Sequence, residues 1–385
     1  MPLAMIPHKW MTSREIRAGT HDAITAFIAE TLERLTPGHL PDGWSAVFFA
    51  WQGDLKARKE AHRFGQSYMH GYCCDRCMAQ QPHRGAVPDL LYGDFSDSAG
   101  HRGTRITQKA YLLSNMHKLS PWTRIPGWCI ELTLLDAMHV VFLGIARDHV
   151  ASHLTLWVEL GFCTPRGAVP MRQGLMLAPA ASPRMQPQRP AERSDRQHGM
   201  AQPCNGEGWV KERLSSRAAA MHRRGRHMDD VYSTLWEDFR AWCRVRRHAA
   251  AGPRFSLASV GRETGATYPE LSSAYKAASV QLLVHWVAEK SQEIDPSPLR
   301  RLHSESLAMW VRTCAAAGVW MSGEERQRAF QHGRTYLLSH MRLAKLHLAE
   351  NPAQEPAALF FIRPKRHSFD HLVGPVNEAG VRSSD

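Results

Sequence analysis

The segment from Pro165 to His227 constrains the fold more than any other feature of the sequence. It is rich in proline and arginine and shows little apolar periodicity, which predicts a flexible linker over residues 164–227. At 385 residues the chain is long enough to bury a substantial core. We therefore expect the regular helices and strands to lie before and after this linker.

Most of the positive charge also lies in this segment. Twelve lysines and arginines against four acidic residues give it +8, out of a formal net charge of +12 for the whole chain. A basic protein gains affinity for nucleic acid by releasing counterions from phosphates, so DNA is the expected partner. The candidate DNA contacts here are Arg223, Arg224 and Arg226. A solvated linker with no such partner is the plainer interpretation of the same charge.

Before the linker, the sequence divides into three segments that differ in their pattern of apolar residues. Helical spacing of apolar residues from Ser13 to Leu35, followed by an apolar run that stops at Asp54, predicts an N-terminal helix and core strand over residues 1–55. Residues 56–120 are irregular and rich in histidine, glycine and proline, which indicates a Cys/His-containing insert. Residues 121–163 are strongly apolar and predict core helices.

After the linker, residues 228–350 show repeated helical spacing and predict a helical insertion domain. Residues 351–385 contain a strand-like apolar run, Ala358 to Ile362, and then a basic segment with Arg363, Lys365 and Arg366, which are further candidate DNA contacts. The expected fold class is α+β and predominantly helical.

Several classes of protein are disfavoured by the sequence. The apolar stretches are too short or too interrupted by polar residues to span a bilayer, and the N-terminus lacks the residue order of a secretory signal peptide. Eight scattered or crowded cysteines do not make a disulfide framework. We expect an intracellular protein with reduced thiols and no membrane partner.

Cys74 and Cys77 form a C-x-x-C pair, the spacing at which two thiolates bind one tetrahedral Zn²⁺. The chain has no second such pair, so histidines must complete the site, and His83 is our candidate. The other nearby histidines are His62, His70, His101 and His117. Ordinary buried thiols are the main alternative, and a redox pair is a weaker one because no βαβ pattern surrounds the motif.

Three polar residues in apolar surroundings are candidate catalytic groups. Asp136 and His139 are three residues apart in an apolar stretch expected to be helical, where they share a face. Such a pair is unfavourable unless its members bind each other, bind a ligand or line a cleft. Asp54 follows the predicted strand, a common position for a metal-binding carboxylate but also for an ordinary turn residue.

The motifs taken in order resemble the transposases of eukaryotic cut-and-paste DNA elements of the CACTA type. The resemblance covers most of residues 44–376 apart from the linker. It rests on these motifs: Gly53-Asp54-Leu55-Lys56, Cys74-x-x-Cys77, Ser120-Pro121-Trp122, Ile125-Pro126-Gly127-Trp128, Leu135-Asp136-Ala137-Met138-His139, Tyr268-Pro269-Glu270-Leu271 and Arg363-Pro364-Lys365-Arg366-His367-Ser368-Phe369-Asp370-His371.

The resemblance implies a ribonuclease-H-like core with a large helical insertion, in which three acidic residues bind two Mg²⁺ ions. Two such ions stabilise both the attacking and the leaving oxygen of a phosphodiester. By position Asp54 resembles the second acid, and Asp136 with His139 resembles the family's D-x-M-H element. The resemblance also implies residence in the nucleus.

The sequence departs from the family pattern at the first and third acids. Too little chain precedes Asp54 for the strands that carry the first acid, and Glu378 is a poor substitute for the third. We therefore expect a remnant ribonuclease-H-like sheet and impaired catalysis. The alternatives are a zinc-stabilised nucleic-acid-binding or interaction protein without enzymatic activity, and a zinc hydrolase that uses Asp136 and His139. The hydrolase is disfavoured because no H-E-x-x-H motif or equivalent ligand trio appears.

Overall fold

The structure is a computed structural model that describes residues 14–34, 51–53, 55–64, 71–82, 85–114, 119–161, 228–263, 268–317, 321–351 and 358–374. Most of the described chain is helical. The helices are α1 (Arg14–Arg34), α2 (Leu55–His62), α3 (Gln108–Ser114), α4 (Ala146–Glu159), α5 (228–245), α6 (Ala277–Ile294), α7 (Pro298–Ala316), α8 (Gly323–Glu350) and α9 (Pro364–Val373). The strands are β1 (Trp51–Gly53) and β2 (Thr133–Leu135).

The two strands pair in parallel, with Gly53 opposite Leu135. A parallel pair requires a long crossover connection, and here the whole Cys/His-containing insert lies between the strands. The predicted mixed fold, mainly helical with a small β component, is confirmed. The sheet has two strands within the described residues.

The largest core is formed by the helices that follow the strand pair. Its fully buried members include Trp157 on α4, Phe239 on α5 and Trp286 on α6. The indole ring of Trp286 lies edge-on to the rings of both Trp157 and Phe239. Burial of such large rings removes much apolar surface from water and is the main stabilising contribution to this half of the molecule.

Local signals in the sequence fix where two of these helices begin. The Ser297 hydroxyl accepts a hydrogen bond from the Arg300 amide, and Pro298 occupies the first turn of α7. Ser322 and Glu325 form a reciprocal capping box at the start of α8. The apolar spacing of the sequence predicts helices over residues 298–318 and 324–350, and both helices begin within a residue of these predicted starts.

Helix α9 packs closely against α8 at Gly333. A Cβ atom built on Gly333 would lie 2.3 Å from Cγ2 of Val373 and 3.1 Å from Cδ1 of Trp310. Only a residue without a side chain leaves room for Val373 at this crossing. This contact positions α9 against the core.

A second, smaller core lies around His62 at the end of α2. The imidazole stacks on the ring of Trp128 at 5.7 Å and contacts Phe64 and Trp122. The hydroxyl of Tyr111 donates a hydrogen bond to the carbonyl oxygen of His62 at 2.6 Å. Ala29 of α1 is buried in the same cluster.

Two predicted elements differ from the structure. The run from Ala358 to Ile362 is a turn and not a strand, with Phe360 at φ 58°, because Leu359 and Phe360 insert into an apolar cluster of the helical core instead of joining the sheet. The strand predicted to precede Asp54 is present only as Trp51–Gly53 among the described residues. The predicted linker, residues 164–227, lies outside the described residues, as do Arg223, Arg224 and Arg226.

Candidate metal centre

The Cys74–Cys77 segment forms a tight turn closed by short-range backbone pairing. The Cys73 amide donates to the carbonyl oxygen of Ala79 at 3.0 Å, and Tyr72 and Gln80 form an antiparallel bridge. The Arg76 amide donates to Sγ of Cys74 at 3.2 Å. Backbone hydrogen bonds thus hold both sulfur atoms in place from one short loop.

Helix α9 brings two histidines to this loop. His367 and His371 lie four residues apart, so their side chains share one face of the helix. Pro364 at the first helical turn and the Gly333–Val373 contact fix where the helix begins and where it lies. The side chains of both histidines reach the C-x-x-C turn from a position almost three hundred residues later in the chain.

The four ligand atoms form a compact group, with all separations within 4.8 Å. Sγ of Cys74 lies 3.2 Å from Nε2 of His371, and Sγ of Cys77 lies 3.2 Å from Nε2 of His367. The two Nε2 atoms are 3.1 Å apart. A tetrahedral zinc ion bound by sulfur and imidazole nitrogen separates its ligand atoms by about 3.3–3.6 Å. These distances differ from the observed ones by only a few tenths of an ångström, and the group can hold a metal ion.

Burial sets the protonation of Cys74 and His371 in the absence of a metal. Desolvation raises the pKa of the Cys74 thiol well above its usual value. Desolvation, and then the neighbouring His367, lowers the pKa of His371 well below its usual value. The metal-free centre therefore contains a protonated Cys74 and a neutral His371. Binding of a metal ion to the Cys74 thiolate releases a proton.

Buried ion pairs support the centre on both sides. Asp75, between the two cysteines, lies 3.0 Å from Nη1 of Arg58 on α2. Asp370, between the two histidines, accepts from Arg102 at 2.7 Å and from Arg334 at 3.3 Å. These pairs hold the loop and α9 independently of any ion and so preorganise the ligands.

The sequence predicted the cysteines of this group but not its histidines. His83, the histidine we selected, lies outside the described residues, as do His70 and His117. His62 is in the smaller aromatic core. The imidazole of His101 is hydrogen-bonded to the carbonyl oxygen of Asp94 at 2.8 Å and packs edge-on against the ring of His367.

The signal for the missing ligands was the H-x-x-x-H spacing of His367 and His371. Two imidazoles at this spacing on a helix form half of a tetrahedral site. We had assigned this basic segment to DNA contacts.

The predicted catalytic pair lies at the end of the strand pair. Asp136 directly follows β2, and its Oδ2 lies 2.5 Å from Nδ1 of His139. Oδ1 accepts a hydrogen bond from the Met138 amide at 2.9 Å. The side chain of Asp136 is 17% exposed and that of His139 is 41% exposed. This pair therefore lies at an accessible junction between a strand and a helix, and not inside a buried helix as the sequence predicted.

Asp54 lies outside the described residues, but the chain around it is described. Gly53, its neighbour in sequence, is the residue of β1 that pairs with Leu135, the neighbour of Asp136. The two strands thus end at the same edge of the sheet, where Asp136 follows β2.

A distorted helical turn follows this edge. Residues Met138–Ile145 form a π-helix that is broken at Gly144, where the backbone leaves helical geometry. The ammonium group of Lys365 donates a hydrogen bond to the carbonyl oxygen of Leu143 at 2.9 Å, and a Cβ atom on Gly144 would lie 2.8 Å from Cδ of Lys365. The absent side chain of Gly144 lets Lys365 approach the backbone.

The folded basic residues that we predicted to contact DNA have internal partners. Arg366 is fully buried and lies 3.1 Å from Oδ2 of Asp148. Arg363 contacts Asp148 at 2.8 Å and Glu270 at 3.0 Å. These guanidinium groups, together with Lys365, hold α9 against the core and do not form an exposed basic surface.

No protein-family model matches the chain, and no curated protein or solved structure matches it either. Among the described residues, none of the helices combines the length and apolar character that crossing a bilayer requires.

Proposed function

We propose that the protein is a derivative of a CACTA-type DNA transposase in which a structural zinc ion has been kept and phosphodiester chemistry is impaired. The pairing of Gly53 with Leu135 carries this proposal. It supports a shared sheet edge for Asp54 and Asp136, as two-metal chemistry on DNA requires of its carboxylates. On this basis Asp54 is the ancestral second acid, and Asp136 with His139 is the ancestral D-x-M-H element.

Two observations support impaired chemistry at this edge. Both carboxylate oxygens of Asp136 already have partners, in His139 and the Met138 amide. Of the described residues, no group of three or more potential metal ligands includes Asp136. The described residues therefore do not supply a Mg²⁺ ion at this edge with the set of oxygen ligands that it needs.

Zinc is the proposed ion at Cys74, Cys77, His367 and His371. Two thiolates and two imidazoles in a closed, buried arrangement are typical of structural zinc sites, which leave no coordination position open for a substrate. Its proposed role is to tie the insert to α9 and so to stabilise the fold.

The chemistry is tested with purified full-length protein on supercoiled plasmid DNA and on labelled duplex ends, with Mg²⁺ or Mn²⁺. We expect neither nicking nor strand transfer above the level of the Asp136→Asn variant. Divalent-dependent cleavage that is lost in both Asp54→Asn and Asp136→Asn would refute the impairment and support the ancestry.

A second candidate function is nucleic-acid binding without catalysis, and the +8 charge of residues 165–227 favours it. Since Arg363, Lys365 and Arg366 have internal partners, the DNA contacts in this proposal fall to Arg223, Arg224 and Arg226. We expect binding to duplex DNA that weakens steeply with salt. Replacing these three arginines with alanine should reduce the slope of log affinity against log salt by about 2–3. The matched control replaces Arg240, Arg244 and Arg247, which are exposed residues of the folded part; an equal loss there would contradict the assignment.

A further inference from the structure

A second group of histidines lies inside the helical core, on elements separate from the metal centre. His149 and His153 lie four residues apart on α4, and His303 is on α7. All three are fully buried, and their ligand nitrogens lie within 4.8 Å of one another. We call these three residues the histidine cluster.

Part of the cluster is a chain of hydrogen bonds that neutral imidazoles make by themselves. Nε2 of His153 lies 3.2 Å from Nδ1 of His303, and Nε2 of His303 lies 3.0 Å from Nδ1 of His340 on α8. A neutral imidazole has one donor and one acceptor, so these contacts satisfy both nitrogens of His303. If every ring were satisfied in this way, the cluster would need no ligand.

His149 does not fit this account. Neither of its ring nitrogens has a hydrogen-bond partner, although the residue is fully buried. Nδ1 of His153 and Nε2 of His340 are unpartnered as well. A buried polar group without a partner destabilises the folded state. Several such groups around one point indicate that something else binds there.

The electrostatics leave these rings in the form that binds metals. Desolvation, and then the nearby His153, lowers the pKa of His149 well below its usual value. Desolvation, and then the neighbouring His149, lowers the pKa of His303 in the same direction. The rings are therefore neutral at physiological pH. Each offers a lone pair, and imidazole is a preferred ligand of zinc and of neighbouring first-row metals.

The ring of Phe360 separates this cluster from a cleft. Phe360 lines a cleft of about 530 Å³ whose wall also includes Leu156, Leu343 and Arg300. The same ring also packs against the histidine cluster, edge-on to His153 at 5.4 Å and to His303 at 5.6 Å. The Phe360 ring thus lies between the cleft and the histidines.

We propose that His149, His153 and His303 form a second metal site, which binds zinc or a chemically similar divalent ion through three imidazole nitrogens. His340 accepts the hydrogen bond from Nε2 of His303 and fixes the orientation of that ring, so it is a positioning residue. A solvent oxygen completes the tetrahedron. The site ties α4 to α7 at the centre of the helical core.

The test is the metal content of the purified full-length chain after loading with zinc and removal of the excess. We expect about two zinc ions per chain, one of them lost in His149→Ala and a different one lost in the Cys74→Ser/Cys77→Ser variant. His285→Ala is the matched control, because His285 is another poorly exposed core histidine with an unpartnered Nδ1. This control should retain both ions. Retention of two ions by His149→Ala would overturn the proposal.

A second measurement needs no substitution and so does not depend on whether a variant folds. X-ray absorption at the zinc edge of the wild-type protein reports the average number of sulfur ligands per zinc. If both sites hold zinc, the two thiolates of the Cys2His2 centre are averaged over two zinc ions, which gives about one sulfur per zinc. If only the Cys2His2 centre holds zinc, the average is about two. About one zinc per chain with about two sulfurs would refute the second site and leave the first intact. A second zinc ion without sulfur ligands would support it.

Discussion

Nη1 of Arg58 lies 3.0 Å from Oδ2 of Asp75, and both side chains are almost completely buried, at 0% and 3% exposed. Nη2 of the same guanidinium donates to the hydroxyl of Thr133 at 3.4 Å. One arginine of α2 thus joins the turn that carries Cys74 and Cys77 to the strand that precedes Asp136. The metal centre and the strand edge are therefore linked through one buried side chain.

Replacing Arg58 with leucine should destabilise the protein strongly. It leaves the carboxylate of Asp75 buried without its cation, which costs about 3–5 kcal/mol. The free energy of unfolding from urea titration measures the effect. The double variant Arg58→Leu/Asp75→Leu should recover most of the lost free energy of unfolding, since it also removes the unpaired carboxylate of Asp75.

The control for this experiment is the exposed pair of Arg240 and Glu237, whose side chains are 47% and 51% exposed. Replacing Arg240 with alanine should change the free energy of unfolding by less than about 1 kcal/mol. Equal effects at Arg58 and Arg240 would contradict the structural role given to the buried pair.

Removal of the metal from the Cys2His2 centre should weaken the whole fold. A ligand present at a thousand times its dissociation constant stabilises the folded state by about 4 kcal/mol. We expect Cys77→Ser to lower both the zinc content and the melting temperature, and a chelator to lower the melting temperature of the wild type by more than that of the variant, which has already lost the ion of this centre. Cys243→Ser, at a buried cysteine of the helical core, is the control and should keep its zinc at this centre.

Gly333→Ala should destabilise the protein although alanine is the better helix former. The new methyl group would lie 2.3 Å from Val373, and such overpacking costs about 1–3 kcal/mol. Val373→Ala should relieve part of the loss, so the two substitutions should be non-additive in a double-mutant cycle. Gly323→Ala, at the start of the same helix, meets nothing within 4 Å and should be neutral or slightly stabilising.

His62 should make the protein sensitive to acid. Burial, and then the positive charge of Arg58, lowers the pKa of His62 to about 3, whereas it is about 6.5 in the unfolded chain. Between these values the unfolded state binds the extra proton, so the free energy of unfolding falls as the pH falls through this window. The slope from this one group is up to about 1.4 kcal/mol per pH unit.

The His62→Gln variant isolates this contribution, because glutamine does not titrate. We expect the difference in unfolding free energy between wild type and variant to change between pH 6 and pH 4, in favour of the variant at the lower pH. A difference that is independent of pH would show that His62 does not titrate as its burial predicts. Gln331→Ala, which removes no titratable group from an exposed position of α8, is the control and should give a flat difference.

Local interactions made part of this structure readable from the sequence. The C-x-x-C turn and the starts of α7 at Ser297-Pro298 and of α8 at Ser322 depend on residues within a few positions of one another. The neighbouring residues alone determine such features, so they were predicted correctly. The Asp136–His139 contact was also foreseen, but its setting was not, because a three-residue strand gives no periodicity to read.

The tertiary structure decided the rest. Only the packing of α9 against Gly333 brings His367 and His371 to cysteines 290 or more residues earlier in the chain, and no local pattern encodes that distance. The same packing turns Arg366 inward to Asp148, although its sequence context suggested a DNA contact. Phe360 lies in a turn, and not in the predicted strand, because its ring is buried in the helical core. The sequence by itself determined which chemical groups are present and which short segments are helical, whereas long-range packing decided which of those groups meet.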